Sequence, residues 1–283
     1  MVTAYKLSVI VPCFNHGEFL SEAVASVKNI KRDDIELIVV DDGSTDNLTR
    51  SVMDALCEQR IKVIRQENSG LAAARNSGIR SSTGEYILPL DADNHLRPGY
   101  VKHGVGILDA NLEVGVVYGD AEYIGMRTGR WHVGPFDLRR LIKSNYIDAC
   151  ALYRRSIWVE NRGYDSTMPV QGLEDWDFWL GAVEHGWQFA YVPEVLFDYR
   201  VAEESMITRA SGHTAQIEEF IAKKHGQLYR ETWLSLVSEH ESLLTRHQSL
   251  LTQTESVRWN FRNLRRLLKS RLRQKLDNGV TSS

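Results

Sequence analysis

Over residues 1–110, apolar positions alternate between short continuous runs and stretches where they recur every third or fourth residue. Residues 7–11, 35–40, 61–64 and 86–90 are runs of the first kind and predict strands buried on both faces. Between them, Leu20, Ala23, Val24 and Val27 mark one helical face. Leu48, Val52 and Leu56 mark a second behind the capping candidates Thr45 and Asp46, and residues 70–79 a third that tolerates Gly78. Pro98 opens a fourth helix with Val101, Val105 and Leu108 on its inner side. Strand and helix in alternation predict an α/β fold with a mostly parallel, Rossmann-like sheet and right-handed crossovers.

The second half is less regular. Residues 114–118 and 149–153 predict strands. Residues 175–184 predict a helix with Trp176, Leu180 and Val183 along one side and Gly186 at its end. Extended structure resumes at 189–192 and 195–201 around Pro193, and no sharp linker precedes Gly226. The expected division is therefore a domain over 1–225 and a helical C-terminal extension over 226–283.

In that extension the hydrophobic period becomes seven. His240-Glu241-Ser242-Leu243-Leu244-Thr245-Arg246 is followed in register by His247-Gln248-Ser249-Leu250-Leu251-Thr252-Gln253. Tyr229, Leu236, Leu243, Leu250, Val257 and Leu264 form one seam. The companion seam runs Trp233, His240, His247, Thr254, Phe261, Leu268, so its middle is polar and a coil through it is weak. Residues 258–275 carry eight Lys and Arg and no acid, interleaved with Leu264, Leu268 and Leu272. Such a basic amphipathic helix suits an anionic membrane surface, with a homo-oligomeric coil as the competing reading.

Composition narrows the partners. With 283 residues and 43% hydrophobic content the chain holds a substantial core. A net charge of −3 gives no reason to expect nucleic acid. Cys13, Cys57 and Cys150 show neither paired nor metal-ligand spacing, which fits a reducing cytosol. The apolar stretch after Lys6 is cut at Pro12, too short for a signal peptide, and no stretch approaches the ~20 apolar residues of a span. Membrane contact is then expected to be peripheral, on the cytoplasmic face.

Two acidic turns carry the chemistry. Asp91-Ala92-Asp93 follows the run 86–90, and Asp41-Asp42-Gly43-Ser44 follows the run 35–40. Residues two apart in an extended chain face one side, so Asp91 and Asp93 can address one cation, and oxygen ligands favour Mg²⁺ or Mn²⁺. Ligands of open parallel sheets bind at the carboxyl ends of the strands.

Four blocks in this order resemble family 2 glycosyltransferases: residues 9–15 (Val-Ile-Val-Pro-Cys-Phe-Asn), 39–46 (Val-Val-Asp-Asp-Gly-Ser-Thr-Asp), 68–78 (Asn-Ser-Gly-Leu-Ala-Ala-Ala-Arg-Asn-Ser-Gly) and Asp91-Ala92-Asp93. Glu174-Asp175 and Tyr199-Arg200 extend the likeness over roughly 5–210. The resemblance implies a GT-A fold, a nucleotide-sugar donor (most often UDP-linked), a divalent metal and inversion at the anomeric carbon. It implies further that Pro12, Phe14 and Asn15 floor the nucleotide pocket, with Phe14 against the base unless it is a core aromatic. Asp42, with Asp41 beside it, would accept from the base, and the same turn also reads as a helix cap. Arg75 would lie near the phosphates or tether the acidic loop, or else sit on a helix surface. Asp93 would ligate metal, with Asp91 acting through water or on the ribose and Ala92 between them. Asp175 would be the general base, with Glu174 and Trp176 toward a glycan or lipid-linked acceptor and Trp179 either beside them or in the core.

One position departs from the family. A His often stands two residues after the Tyr-Arg pair, where this chain has Ala202, so metal holding rests on fewer side chains, with Arg200 or Arg209 as candidate compensation. Two other readings start from the same residues. A sugar-phosphate nucleotidyltransferase would need a glycine-rich basic loop near the N-terminus, which residues 13–17 do not supply. A silent scaffold would not need Asp91, Asp93 and Asp175.

Overall fold

The structure is a computed structural model that describes residues 5–202 and 214–279. Arg209 lies outside the described residues, as do the side chains of Val257 and of residues 271–279. The chain divides into two compact units, Met1–Gly226 and Gln227–Ser283.

In the first unit the strands are β1 (Leu7–Cys13), β2 (Ile35–Asp41), β3 (Lys62–Arg65), β4 (Tyr86–Pro89), β5 (His95–Leu96), β6 (Val114–Gly125), β7 (Gly129–Trp131), β8 (Leu152–Arg154) and β9 (Gln188–Val201). The helices are α1 (Gly17–Lys28), α2 (Asn47–Glu58), α3 (Leu71–Arg80), α4 (Pro98–Ala110), α5 (Leu138–Lys143), α6 (Arg155–Glu160), α7 (Glu174–Glu184) and α8 (Thr214–Lys224). The described strands form one sheet in the order β3-β2-β1-β4-β8-β6-β9-β5, with β7 on β6. The sheet is mixed. β3, β2, β1 and β4 pair in parallel, whereas β8 runs antiparallel to both β4 and β6, and β9 returns parallel to β6.

Every residue of β1 is buried, as a strand covered on both faces requires. Val9, Val11 and Val39 join one core with Leu20 and Val24 of α1, Met53 and Leu56 of α2, and Val101 and Leu108 of α4. On the other face α3 comes so close that a Cβ on Gly78 would stand 2.4 Å from Ile10 Cγ2 and 3.1 Å from Val40 Cγ2. That contact is why a helix with a glycine in its body packs here.

Proline opens the sheet where the ligand is expected. The Leu90 amide donates to the Ile10 carbonyl at 2.9 Å, and the next parallel rung would need an N–H from residue 12, which is proline. Pairing between β1 and β4 accordingly stops at Ile10 and Pro89, while β1 and β2 stay paired to Cys13 and Asp41.

Several elements differ from the periodicity reading. The inner face of α2 is Thr49, Met53 and Leu56, and Leu48 is 56% exposed, because the Asp46 side chain caps the helix on the Thr49 amide and fixes its phase. β6 continues through Gly119-Asp120, since Asp120 is wholly buried: its carboxylate accepts from the Val133 amide at 2.8 Å, Tyr191 Oη at 2.7 Å and Arg130 Nε at 2.9 Å. β9 passes Pro193 by a register shift against β6, so proline's missing donor falls outside the ladder. α7 is buried on every side from Glu174 to Ala182, not along one stripe. The short elements β5, β7, α5 and α6 carry too few residues to show a period.

The second unit is a single helix, α9 (Gly226–Gly279), 54 residues and about 80 Å long at 1.5 Å per residue. Trp233, Leu243, Leu250, Trp259, Phe261, Leu264 and Leu268 are exposed on it. Among the described residues no helix is long and apolar enough to cross a membrane. Cys13, Cys57 and Cys150 are free thiols.

Candidate functional site

The carboxyl ends of β1, β2 and β4 converge with the first turn of α7. After β1, Phe14 is 42% exposed at the strand end, not in the core. Asn15 takes a left-handed backbone (φ 56°), a conformation asparagine tolerates. Its side-chain oxygen accepts from the Thr45 amide at 2.8 Å and its own amide donates to Ser44 Oγ at 3.1 Å, tying the first loop to the second.

The second loop is held by its acids. Asp41 Oδ1 accepts from the Ser44 amide at 2.9 Å. Asp42 is buried, with Oδ1 accepting from the Ser69 amide (2.9 Å) and Gln66 Nε2 (2.7 Å) and Oδ2 accepting from the Gly70 amide (2.9 Å). Gly70 is the N-cap of α3, so this charge sits at the positive end of a helix dipole. A carboxylate offers about four lone-pair sites. Three are filled, which leaves one for a ligand donor. Gly43 (φ 77°) makes the turn possible, since a Cβ there would stand 2.6 Å from the Asn68 nitrogen.

After β4, the Asn94 amide closes a turn on the Asp91 carbonyl at 3.0 Å. Ala92 is buried in the core, so its methyl is not offered to a ligand. Arg200 braces the turn from β9: its Nε donates to the Asp93 carbonyl at 3.1 Å and its amide to Asn94 Oδ1 at 2.9 Å. Burial, followed by the neighbouring charge of Asp91, pushes the Asp93 carboxyl up to about 6.

Arg75 binds these pieces together. It is 1% exposed, with Nη2 on Asp91 Oδ1 at 2.8 Å and Nη1 on Glu174 Oε1. Its neighbours' charges hold it protonated against burial. Its Nε has no acceptor among the described residues. Glu174 Oε2 also accepts from the Gly172 amide at 2.9 Å, so the Glu174 carboxylate faces Arg75 and its own turn, not an acceptor.

Asp175 is buried, accepting from the Trp176 amide at 2.9 Å on Oδ1 and from Asn145 Nδ2 at 2.8 Å on Oδ2. Burial, with Glu174 and Asp148 adding to it, raises its carboxyl well above the usual range. The Trp176 ring is 2% exposed and its Nε1 donates to the Leu141 carbonyl at 2.6 Å, while Trp179 Nε1 donates to the Ile147 carbonyl at 3.0 Å. Both indoles are core, and neither offers a ring face to a sugar. The reason is that α7 is enclosed on all sides.

Two residues escaped the sequence reading. Asn145 orients Asp175. Asp148 accepts from the Cys150 amide at 2.8 Å, and burial and the charge of Asp91 push its carboxyl up to about 7. The signal for Asp148 is register: β8 pairs antiparallel with β4 as Tyr86↔Arg154 and Ile87↔Tyr153, and continuing that pairing sets residue 148 opposite the acidic turn. Asp91, Asp93, Asp148, Glu174 and Asp175 thus share one region with Arg75 as their buried cation. Among the described residues no three His, Cys, Asp or Glu side chains are arranged to hold a metal ion, and Ala202 adds none.

Residues 8–160 match the family model described as glycosyl transferase family 2. The chain belongs to that family. It is 29% identical over 223 residues to the putative glycosyltransferase EpsH of Bacillus subtilis, covering 72% of this chain and 63% of that one. Its fold is of GT-A type. It superposes on TarS 1–349 of S. aureus in complex with UDP-GlcNAc at a TM-score of 0.60 and 20% identity, covering 72% of this chain and 60% of that one. The mannosyltransferase PcManGT of Pyrobaculum calidifontis, in complex with GDP-Man and Mn²⁺, gives 0.57 and 21%, covering 74% and 60%. The family 2 chain spans less than two thirds of each of these relatives.

Removing the buried cation should release both acids. Arg75→Met is expected to lower the stability of the unit by about 3–5 kcal/mol, the usual result of leaving buried charges unpaired. Arg75→Lys should recover only part of it, because one ammonium does not match a fork between two carboxylates. Urea denaturation followed by circular dichroism checks both.

Proposed function

We propose that this chain moves one sugar from a nucleotide-diphosphate sugar to a hydroxyl of a glycan or lipid-linked acceptor, in a single displacement with inversion at the anomeric carbon. The observation that carries the reading is a buried carboxylate, Asp175, oriented by Asn145 and joined through Glu174 and Arg75 to the acidic turn of β4. Asp175 takes the proton of the acceptor hydroxyl as that oxygen attacks the anomeric carbon, and the bond to the diphosphate breaks with its electron pair leaving on the phosphate oxygen. The exposed ring of Phe14 and the one open acceptor site of Asp42 suit a nucleobase that offers an N–H, which favours uracil.

Mn²⁺ or Mg²⁺ fits the residues present. Asp93 and Asp91 are oxygen donors whose mutual repulsion a divalent cation would relieve, and with no third protein ligand among the described residues the diphosphate would share in holding the ion. Such an ion offsets charge on the departing diphosphate.

UDP is therefore expected to bind with Mn²⁺ present and to lose affinity by tenfold or more with chelator, an order of magnitude set by the shared coordination shell. Asp93→Ala should remove that difference. Titration calorimetry that finds one affinity under both conditions in the unsubstituted chain sinks the metal assignment.

For Asp175→Asn the expectation is normal UDP binding with kcat for transfer reduced by about 10² or more. Because Asp175 is raised above the ordinary carboxylate range, the base form is lost as pH falls through that raised value. The acid limb of the rate profile should lie well above pH 4, the ordinary range for aspartate. Near-normal turnover in a folded Asp175→Asn variant would assign the base elsewhere.

The second unit supports a place for this activity on the cytoplasmic face of an anionic membrane. Trp259, Phe261, Leu264 and Leu268 are exposed on α9 where residues 258–275 carry eight basic residues and no acid. Each basic residue near such a surface contributes about 1 kcal/mol, screened within about 8 Å at physiological salt. A chain ending at Thr254 should lose flotation with anionic vesicles, and the full chain should bind them less as salt rises. A full chain that ignores vesicles, is dimeric by light scattering and becomes monomeric on truncation would favour the heptad coil instead.

A further inference from the structure

Beyond the acidic turn, β9 and the β6–β7 hairpin bring three aromatic rings together. Tyr123 and Trp131 stack with centroids 5.8 Å apart and planes 5° apart. The Tyr199 ring meets Trp131 edge-on at 5.4 Å and Tyr123 at 6.1 Å. The register explains the grouping: Tyr123 pairs with Tyr199, and Trp131 pairs with Ala121, so all three side chains leave one face of the sheet.

On that same face Ala121 and Phe197 are sealed in the core, at 0% and 3% exposure. Two residues further along each strand, Tyr123 and Tyr199 are only half-buried, as is Trp131. At this point the aromatic face reaches the edge of the core: Trp131 and Tyr199 still pack against it yet stay partly exposed. The place is fixed relative to the chemistry. β5 pairs with β9 as His95↔Asp198, which sets Tyr199 beside Asn94 of the acidic turn, and Arg200 next to it is bonded to Asp93 and Asn94. Burial raises the Tyr199 hydroxyl, and the charges of Asp148, Asp91, Asp93 and Asp175 raise it further, so the ring's polar end lies within electrostatic reach of all four.

We propose that Trp131, backed by Tyr123 and Tyr199, is the platform on which a pyranose ring of the acceptor stacks. A pyranose presents an apolar face of C–H bonds and a rim of hydroxyls. The indole matches the face, and the carboxylates beside Tyr199 match the rim. The expected base contacts, Phe14 and Asp42, follow β1 and β2, whereas these three rings stand on β6, β7 and β9. Arg127 lies 3.9 Å over the Tyr123 ring, which leaves Trp131 as the ring for the sugar. This inference rests on the glycosyltransferase reading above and adds to it the side on which the acceptor enters.

The test separates the two. Full-length protein labelled with 5-fluorotryptophan is titrated with UDP and Mn²⁺, then with a panel of methyl glycosides of hexoses and N-acetylhexosamines. The ¹⁹F resonance of Trp131 is assigned from Trp131→Phe. At least one methyl glycoside should shift that resonance. Its affinity should fall about tenfold in Trp131→Leu, an order set by the loss of a ring contact, and hold within about threefold in Trp131→Phe, with UDP affinity unchanged in both. A chain that binds UDP but whose Trp131 resonance answers to no methyl glycoside overturns the platform and leaves the reaction standing. Equal glycoside affinity in Trp131→Leu overturns it too. The ¹⁹F measurement is made on the unsubstituted chain, so the platform remains testable if Trp131→Leu does not fold. Failure to bind any nucleotide with metal present would instead overturn the glycosyltransferase reading itself.

Discussion

A single guanidinium, Arg75, sets the terms on which this cleft exists. Five carboxylates from three separate places, the end of β4, the segment before β8 and the first turn of α7, converge in a partly desolvated region. Left to themselves they would repel one another or take up protons. Arg75 reaches Asp91 with one nitrogen and Glu174 with another, which fixes the distance between the acidic turn and α7. The planar fork is what permits this, because its donors point in set directions and its charge is not lost on burial. Asp175 follows Glu174 in the chain, so anchoring Glu174 also anchors its neighbour, which pairs with no cation among the described residues.

The cleft itself comes from a defect in the sheet. Parallel strands normally pair to their ends, yet β1 cannot continue with β4 past Ile10 because position 12 has no N–H to give. The loops after β1 and β4 are thereby freed from each other while β1 and β2 remain joined. The two walls of the gap are held differently as a result. On one side the Asn15, Ser44 and Asp42 loops are interlocked by hydrogen bonds, and on the other the Asp91 turn is held by Arg75 and Arg200.

Legibility in the sequence followed the range of the interactions. The runs 7–11, 35–40 and 86–90 announced β1, β2 and β4, because strands buried on two faces have no polar alternation to obscure them. The acidic turns were legible for the same reason, each lying just past such a run. The phase of α2 was not, since the Asp46 cap and the buried Thr49, which receives the Gly17 amide, outweighed the apolar Leu48. Trp176 reads as facing a sugar because it adjoins Glu174-Asp175, but a helix enclosed all round has no outer face. Asn145 and Asp148 carried no local signal at all. They reach the site through antiparallel pairing across some sixty residues of chain, a contact that no short window of sequence contains. Arg75 lay between these cases: its motif was visible, but whether it faced phosphate, the acidic loop or solvent depended on where Glu174 would arrive.

The same contrast of range divides the two halves of the sheet by how they are built. In the parallel half, loop geometry is set by backbone amides folding onto nearby acids, so a few fixed residues suffice to hold it. In the antiparallel half, β6, β8 and β9 meet through long connections and irregular register, with shifts beside Gly119 and Asp120. A shift of one residue there exchanges the face on which a side chain appears. Changes in that half can therefore replace the aromatic surface beside the carboxylates without disturbing Asp42, as long as the Arg200 contacts that brace the Asp93 turn are kept. If the acceptor stacks on that surface as proposed, variation in what the cleft accepts is easiest to introduce on the side where the sequence is hardest to read.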